Sequence, residues 1–168
     1  LLAIDQCGIC GSDTRGLTGE MVYKKDVIIG HEFVAKVEDK GSEVDNVDIG
    51  DQVVVHPNFE CGLCYYCRTG RENVCPNIAH LGNSIDGGMA EYCVVPKEKV
   101  FKISSKIPPE EAIFAEPLAC ALNGTTKACA HPGDNIVILG GGPMALLYFM
   151  ILHKAGIDKI TISEISKT

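Results

Sequence analysis

Short apolar runs recur through the first hundred residues and are separated by Gly, Asp, Asn and Pro. Apolar runs that are bounded by such turn-forming residues are typical of β-strands. We therefore predict strands at Leu1–Ile4, Val27–Ile29, Phe33–Val37, Gln52–Val55, Ala90–Val95 and Val100–Ile103. Short strands with irregular connections favour an antiparallel or barrel-like domain.

The pattern changes after Lys106, where two prolines precede a segment with helical character. One helix is predicted from Glu110 and another from Glu116, with Pro117 in its first turn. A strand, a glycine-rich turn, a helix and a second strand follow, at Asn135–Leu139, Gly140–Gly142, Met144–Ala155 and Lys159–Ser163. This order predicts a βαβ unit. Two parallel strands have too little core for a domain, so we interpret the chain as truncated at both ends.

Composition and charge restrict the function classes. Hydrophobic residues make up 46% of the chain and charged residues 22%, which is typical of a globular protein. No apolar run approaches the roughly 20 residues of a membrane span. The net charge of −7 argues against a protein that binds the phosphate backbone of nucleic acid. We therefore predict a cytoplasmic enzyme of small molecules, with no nucleic-acid or membrane partner.

Four of the nine cysteines lie within fifteen residues, in the pattern C-x2-C-x2-C-x7-C. They are Cys61, Cys64, Cys67 and Cys75. This spacing lets four thiolates surround one Zn²⁺, and a fully occupied tetrahedron is typical of a structural zinc site. Free or redox-active cysteines are one alternative. An iron–sulfur cluster is another, although the bacterial motif has a final gap of three residues instead of seven.

The glycine-rich turn Gly140–Ala145 follows a predicted strand and opens a predicted helix, and it fits the pattern G-x-G-x-x-G/A. The free N–H groups of such a helix can bind a pyrophosphate. We predict cofactor contacts at Gly140, Gly142, Pro143 and Met144. A glycine-rich turn in an unrelated α/β protein is the alternative.

Glu164 lies 22 residues after Gly142, at the end of the second predicted strand. A carboxylate there can accept hydrogen bonds from the adenosine ribose and repel a 2′-phosphate, which favours NAD over NADP. The nearby Lys167 weakens this preference.

Three further motifs occur along the chain, GICGSD around Cys10, GHE around His31 and EPLAC at Glu116–Cys120. Spacing alone does not connect them. Their order, with the four cysteines between the second and the third, resembles the zinc-dependent medium-chain alcohol dehydrogenases, in the branch of the sorbitol, threonine and butanediol dehydrogenases. The resemblance covers essentially the whole chain. Ala35 departs from it, since glycine is usual there.

The resemblance implies a mostly β GroES-like catalytic domain with linking helices at residues 1–131, followed by the first βαβ unit of an incomplete Rossmann domain at 132–168. It also implies a catalytic zinc ion held by Cys10, His31 and Glu116, with Glu32 as an alternate or outer ligand. A second zinc ion would be structural, and NAD would be the cofactor.

Further roles follow from the same resemblance. Ser12 would accept the proton of the alcohol, and Asp13 would orient His31. Arg15 stands where many relatives carry a histidine that relays this proton. Because arginine stays protonated, it cannot replace that histidine as a base. Arg15 could instead pair with a phosphate or carboxylate of the substrate, or be a surface residue.

The resulting prediction is an oxidoreductase that transfers hydride between a secondary alcohol and NAD. The substrate would be a polyol, a sugar alcohol or its phosphate, a vicinal diol or threonine, and the parent protein a homodimer or homotetramer. The 168-residue chain would be inactive alone. One alternative is a non-catalytic zinc-binding interaction module, which would bind one zinc ion instead of two. Another is a zinc-dependent reductase or lyase on the same scaffold.

Overall fold

The computed structural model describes residues 1–166, and the chain divides into two compact units, residues 1–116 and the segment from Pro117 onward. The second unit therefore begins earlier than the division predicted between residues 131 and 132. Compactness alone does not define a domain boundary, so that division stays a prediction.

Seven short strands form the β part of the first unit. They are β1 (Leu2–Cys7), β2 (Phe33–Val37), β3 (Gln52–Val55), β4 (Asn58–Phe59), β5 (Ala79–His80), β6 (Tyr92–Cys93) and β7 (Val100–Lys102). Five of them form an antiparallel sheet in the order β6-β1-β2-β3-β7. Strands β4 and β5 form a separate antiparallel pair.

The core of this unit lies on the sheet. Its buried members include Leu2, Phe33, Val53, Leu81 and Val100. Because the strand side chains that face this core are removed from water, each contributes roughly 1.5–3 kcal/mol of hydrophobic stabilisation. The apolar runs of the sequence therefore correspond to strands in most places.

Val27–Ile29 is the exception, because the structure shows no strand there. The carbonyl groups of Ile28 and Ile29 accept hydrogen bonds from the amides of Gly87 and Met89. The Ile28 amide donates to the Asp86 carboxylate instead of to a neighbouring strand. The loop that contains Asp86, Gly87 and Met89 thus holds this segment, and its apolar residues do not pair with a neighbouring strand. The predicted strand at Ala90–Val95 likewise shortens to β6.

Three helices lie in the first unit, namely α1 (Gly11–Leu17), α2 (Tyr65–Arg68) and α3 (Pro109–Ala112), and a fourth, α4 (Ala115–Ala128), begins at its last two residues and belongs mostly to the second unit. Helix α4 begins one residue before its predicted start at Glu116. Helix α1 was not predicted. It begins directly after Cys10, whose amide donates to the Asp13 carboxylate at 2.8 Å, as in a capping box.

The second unit contains the predicted βαβ arrangement, with β8 (Asn135–Leu139), α5 (Pro143–Lys154) and β9 (Lys159–Ser163). Strands β8 and β9 pair in parallel over all five residues. Helix α5 starts at Pro143, where the missing amide N–H costs no hydrogen bond. Within residues 1–166, every helix is too short or too polar to cross a membrane.

Candidate metal centres and nucleotide site

The four predicted structural ligands converge in the segment between β4 and β5. Cys64 caps the N-terminus of α2, Cys67 lies within that helix, and Cys75 ends a short 3-10 turn at Glu72–Val74. The chain reverses at Gly62 and Gly70, which have φ angles of +69° and +70°. Glycine adopts this left-handed conformation without the steric cost that a Cβ atom brings.

The sulfur atoms lie at the corners of a small tetrahedron. The Sγ–Sγ distances are 3.4 Å for Cys64–Cys67, 3.5 Å for Cys61–Cys75, 3.8 Å for Cys64–Cys75 and 4.0 Å for Cys61–Cys67. A zinc ion bound at about 2.3 Å by four thiolates requires edges of about 3.8 Å. All four cysteines are free thiols. The distances therefore fit a single tetrahedral ion better than unrelated thiols or an iron–sulfur cluster, whose thiolates bind different iron atoms.

Proton affinities within this cluster differ strongly. Hydrogen bonds from the amides of Leu63 and Cys64 lower the pKa of Cys61 to about 6. Burial, and hydrogen bonds with the neighbouring thiols, raise the pKa of Cys67 to about 12. The four neighbouring thiols therefore do not all lose their protons together in the absence of a metal ion. A divalent cation would favour the loss of all four protons, because it binds the cysteines as thiolates.

An ion pair connects the cysteine segment to the main sheet. Lys99 Nζ lies 2.7 and 2.6 Å from the two carboxylate oxygens of Glu60, which directly precedes Cys61. The side chains of Lys99 and Glu60 are only 14% and 24% exposed. Because Lys99 directly precedes β7, this pair ties the start of the cysteine segment to the sheet edge.

A second group of ligand atoms forms where β1 ends and β2 begins. The ligand atoms of Cys10, His31 and Glu32 all lie within 4.8 Å of one another. The antiparallel pairing of β1 with β2 brings these distant segments together, and the Gly8 amide donates to the Glu32 carbonyl at 2.7 Å. A Cβ atom at Gly8 would lie only 2.8 Å from the Glu32 carboxylate. A larger residue there would displace the Glu32 carboxylate from this group.

Asp13 lies behind this group and is 1% exposed. Its Oδ2 accepts a hydrogen bond from the Cys10 amide, and its Oδ1 lies 3.5 Å from His31 Nδ1. Within residues 1–166, Asp13 Oδ1 is the buried side-chain N or O atom that has no hydrogen-bond partner. A proton on His31 Nδ1 would satisfy this oxygen and leave Nε2 for a metal. The thiolate, imidazole and carboxylate therefore fit zinc.

The remaining predicted residues of this centre have different placements. Glu116 lies in the first turn of α4 and, in the described part of the chain, is outside the three-residue group. Its role as a zinc ligand stays a prediction. Ser12 is half-buried in α1, two residues after Cys10. Its role as a proton acceptor also stays a prediction.

His80 is a neighbour of this centre that no sequence motif identifies. Its Nδ1 lies 2.6 Å from Asn58 Oδ1, across the β4–β5 pair. Burial lowers the pKa of His80, and the electrostatic influence of the nearby His31 lowers that pKa further. The single histidine has no characteristic spacing to a partner, so the sequence offered no signal for it.

The predicted nucleotide turn joins β8 to α5. Gly140 has a φ angle of +101°, and its amide donates to the Ser163 carbonyl at 2.7 Å. The Glu164 carboxylate accepts hydrogen bonds from the amides of Gly141 at 2.6 Å and Ser166 at 2.7 Å. Both hydrogen bonds lower the pKa of Glu164, and the bond from the Ser166 amide lowers it most. A negative charge therefore lies beside the turn. Lys167 lies outside the described residues.

Comparison with known proteins places this geometry in a family. Residues 1–105 match the sequence model of the alcohol dehydrogenase GroES-like domain. The chain belongs to this family. The predicted fold class, a GroES-like domain followed by the start of a Rossmann domain, is confirmed by this match and by the observed sheet and βαβ unit.

Relatives of this GroES-like alcohol dehydrogenase chain extend over both units. Sorbitol dehydrogenase of Bacillus subtilis is 33% identical, and the match covers 98% of the chain and 48% of the relative. L-threonine 3-dehydrogenase of Pyrococcus abyssi is 35% identical, with the same coverage of 98% and 48%. A zinc-binding dehydrogenase of Sinorhizobium meliloti, solved with NADP bound, is 37% identical with a TM-score of 0.95, covering 99% of this chain and 48% of that protein. The chain thus spans about half the length of the curated relatives it matches.

Proposed function

We propose that this chain is the zinc-binding half of an oxidoreductase that transfers hydride between a secondary alcohol and NAD. The observation that carries the proposal is the group of Cys10, His31 and Glu32, with the buried carboxylate of Asp13 behind it. A zinc-binding module without catalysis would need only the four-cysteine site. The second group therefore favours an enzyme.

The residues of this group can hold a metal ion and leave part of its coordination sphere free of protein ligands. Cys10 and Glu32 supply two negative charges, which balance a divalent cation, and His31 supplies a neutral ligand. Three protein ligands are typical of catalytic zinc sites. Zinc bound there would supply Lewis acidity, which lowers the pKa of a coordinated alcohol. Glu116 is the alternative carboxylate ligand.

Proton and charge control would come from residues of α1 and its N-terminus. Asp13 holds both the Cys10 backbone and the His31 ring in place, so the ligands need little reorganisation when the metal binds. Ser12 is the proposed acceptor of the alcohol proton. Because Arg15 cannot act as a base, the proton must leave by another group or by water.

The cofactor would bind at the glycine-rich turn before α5. The ionised carboxylate of Glu164 lies against Gly141 and could accept hydrogen bonds from a ribose. Its charge would disfavour a 2′-phosphate, so we propose NAD as the preferred cofactor. The Sinorhizobium meliloti relative with bound NADP makes NADP the comparison to test.

The substrate class follows from the relatives whose names include sorbitol and threonine. We propose a polyol, a sugar alcohol or its phosphate, a vicinal diol or threonine. The parent protein would be a cytoplasmic homodimer or homotetramer.

Metal analysis and kinetics on the complete polypeptide that contains this chain test the proposal. We expect two zinc ions per chain and turnover of secondary alcohols with NAD. Cys10→Ser should reduce the zinc content to one ion and abolish turnover. Cys129→Ser, at an exposed free cysteine, serves as the control. One zinc ion in the unaltered protein, or full turnover by Cys10→Ser, would refute the proposed function.

A further inference from the structure

The loop that follows β5 packs directly on the residue before His31. A Cβ atom at Gly82 would lie 2.7 Å from the Gly30 amide nitrogen, and one at Gly87 would lie 2.0 Å from the Gly30 carbonyl oxygen. These backbones are therefore in close contact. Because His80 is two residues before Gly82 and Gly30 directly precedes His31, this contact places the His80 segment near the Cys10, His31 and Glu32 group.

One side-chain hydrogen bond orients the His80 ring, and backbone hydrogen bonds hold the chain on which it is carried. Its backbone amide donates to Ser84 Oγ at 2.8 Å, and its Nδ1 lies 2.6 Å from Asn58 Oδ1. The Leu81 amide also donates to the Pro57 carbonyl at 2.9 Å, which holds the two strands in register. With Asn58 Oδ1 as the acceptor, the proton lies on Nδ1, and Nε2 is left as a hydrogen-bond acceptor.

The Nε2 atom of His80 is not fully enclosed by protein. Within residues 1–166, the buried side-chain polar atom that lacks a hydrogen-bond partner is Asp13 Oδ1. His80 Nε2 is therefore not a buried atom without a partner. The ring itself is half-buried.

A role as a further metal ligand fits less well. In the described part of the chain, the ligand atoms grouped within 4.8 Å are those of Cys10, His31 and Glu32, and His80 is not among them. An oriented, half-buried ring near a metal centre is instead suited to a polar group of the substrate.

We propose that His80, oriented by Asn58, binds a second hydroxyl group of the alcohol substrate, so that the site selects polyols and vicinal diols over simple secondary alcohols. This inference rests on the proposed dehydrogenase function. A site that is built to bond a hydroxyl group disfavours an analogue without it, because the polar group of the protein then stays unpaired.

Kinetics with two alcohols of the same carbon skeleton test this selection in the zinc-loaded complete polypeptide. The probes are 2,3-butanediol and 2-butanol, and the measured quantity is the ratio of their kcat/KM values. His80→Leu should lower this ratio about tenfold, as expected for one lost hydrogen bond. Asn58→Ala, which releases the ring, should lower it less. His56→Leu is the matched control, because His56 is an exposed histidine beside the same strand pair.

Histidine-selective ¹⁵N NMR gives a readout that does not depend on turnover. The spectrum of His80→Leu in the same complete polypeptide assigns the His80 resonance by its loss. Adding 2,3-butanediol to the zinc-loaded protein should shift the His80 Nε2 resonance, whereas 2-butanol should leave it in place. The resonance of His56 should not respond to either alcohol.

The outcomes separate this inference from the proposed function. A protein that oxidises 2-butanol, but whose substrate ratio is unchanged in His80→Leu, overturns only the role of His80. Loss of one zinc ion in His80→Leu would show a metal ligand and also overturns it. Absence of turnover with every secondary alcohol refutes the proposed function, and in that case an unshifted His80 resonance overturns the inference as well.

Discussion

At the scale of single residues, Asp13 connects two ligands that are far apart in sequence. One oxygen of its carboxylate holds the Cys10 amide, and the other faces the ring of His31. Both interactions are formed in the protein interior, where a carboxylate is costly unless its charge is matched. In the proposed zinc centre, Asp13 would therefore orient the ligands for the cation, and the cation would compensate for the burial of the Asp13 charge.

Replacing Asp13 with Asn tests this coupling. The change keeps the size of the side chain but removes the charge that orients the His31 proton. We expect the zinc affinity of the Cys10 centre to fall about 10- to 100-fold, while the four-cysteine site keeps its ion. Competition with a chelator measures the two sites separately.

Asp158→Asn is the control for this change, because Asp158 is 86% exposed and lies in the second unit. Unchanged zinc affinity in Asp13→Asn would show that the buried carboxylate does not support the metal centre.

At the scale of elements, the four-cysteine segment is predictable because its ligands are close in sequence. Two-residue gaps place the sulfurs on one side of a tight turn, and the helix α2 positions Cys64 and Cys67. Its attachment to the sheet was not predictable. The Glu60–Lys99 pair joins residues that are 39 positions apart, and nothing in their local sequence distinguishes them from surface charges.

Replacing Glu60 with Gln tests this attachment through its pH dependence. The hydrogen bond from Lys99 lowers the pKa of Glu60 below its ordinary value of 4.5. The stabilisation is therefore fully present above pH 4.5 and is lost as the pH falls through the lowered value. At pH 7 we expect Glu60→Gln to lower the free energy of unfolding by about 1 kcal/mol.

Denaturation of the metal-free protein at several pH values measures this difference without a contribution from zinc release. The difference from the unaltered protein should shrink toward pH 3. Glu98→Gln, at an exposed carboxylate in the same segment as Lys99, is the control. A difference that stays constant with pH would contradict an ion pair as its cause.

At the scale of the whole molecule, the parallel sheet of the second unit exposes several large apolar side chains. Leu139 is 84% exposed, Val137 63% and Ile162 37%, all of them in the two-stranded parallel sheet. Parallel sheets are normally covered on both faces. The relatives are about twice as long as this chain, and their further length is available to cover such surface.

This exposure predicts that residues 1–168 do not oxidise alcohols by themselves, whereas the complete polypeptide does. The cofactor site would lack most of its sheet in the shorter chain, but the four-cysteine site is local and should still bind zinc. Turnover assays and metal analysis of both proteins measure this. Turnover by the isolated 168 residues would contradict the prediction.

The sequence by itself determined the four-cysteine site, the βαβ unit and most strands of the sheet. These features depend on residues a few positions apart, whose spacing follows from the period of a strand or helix and from the reach of a turn. Only the tertiary structure selected Glu32 instead of Glu116 as the carboxylate grouped with Cys10 and His31, placed the His80 segment near that group and left Val27–Ile29 outside the sheet. These outcomes depend on pairings between distant segments, which the packing of the whole unit decides and no local pattern records.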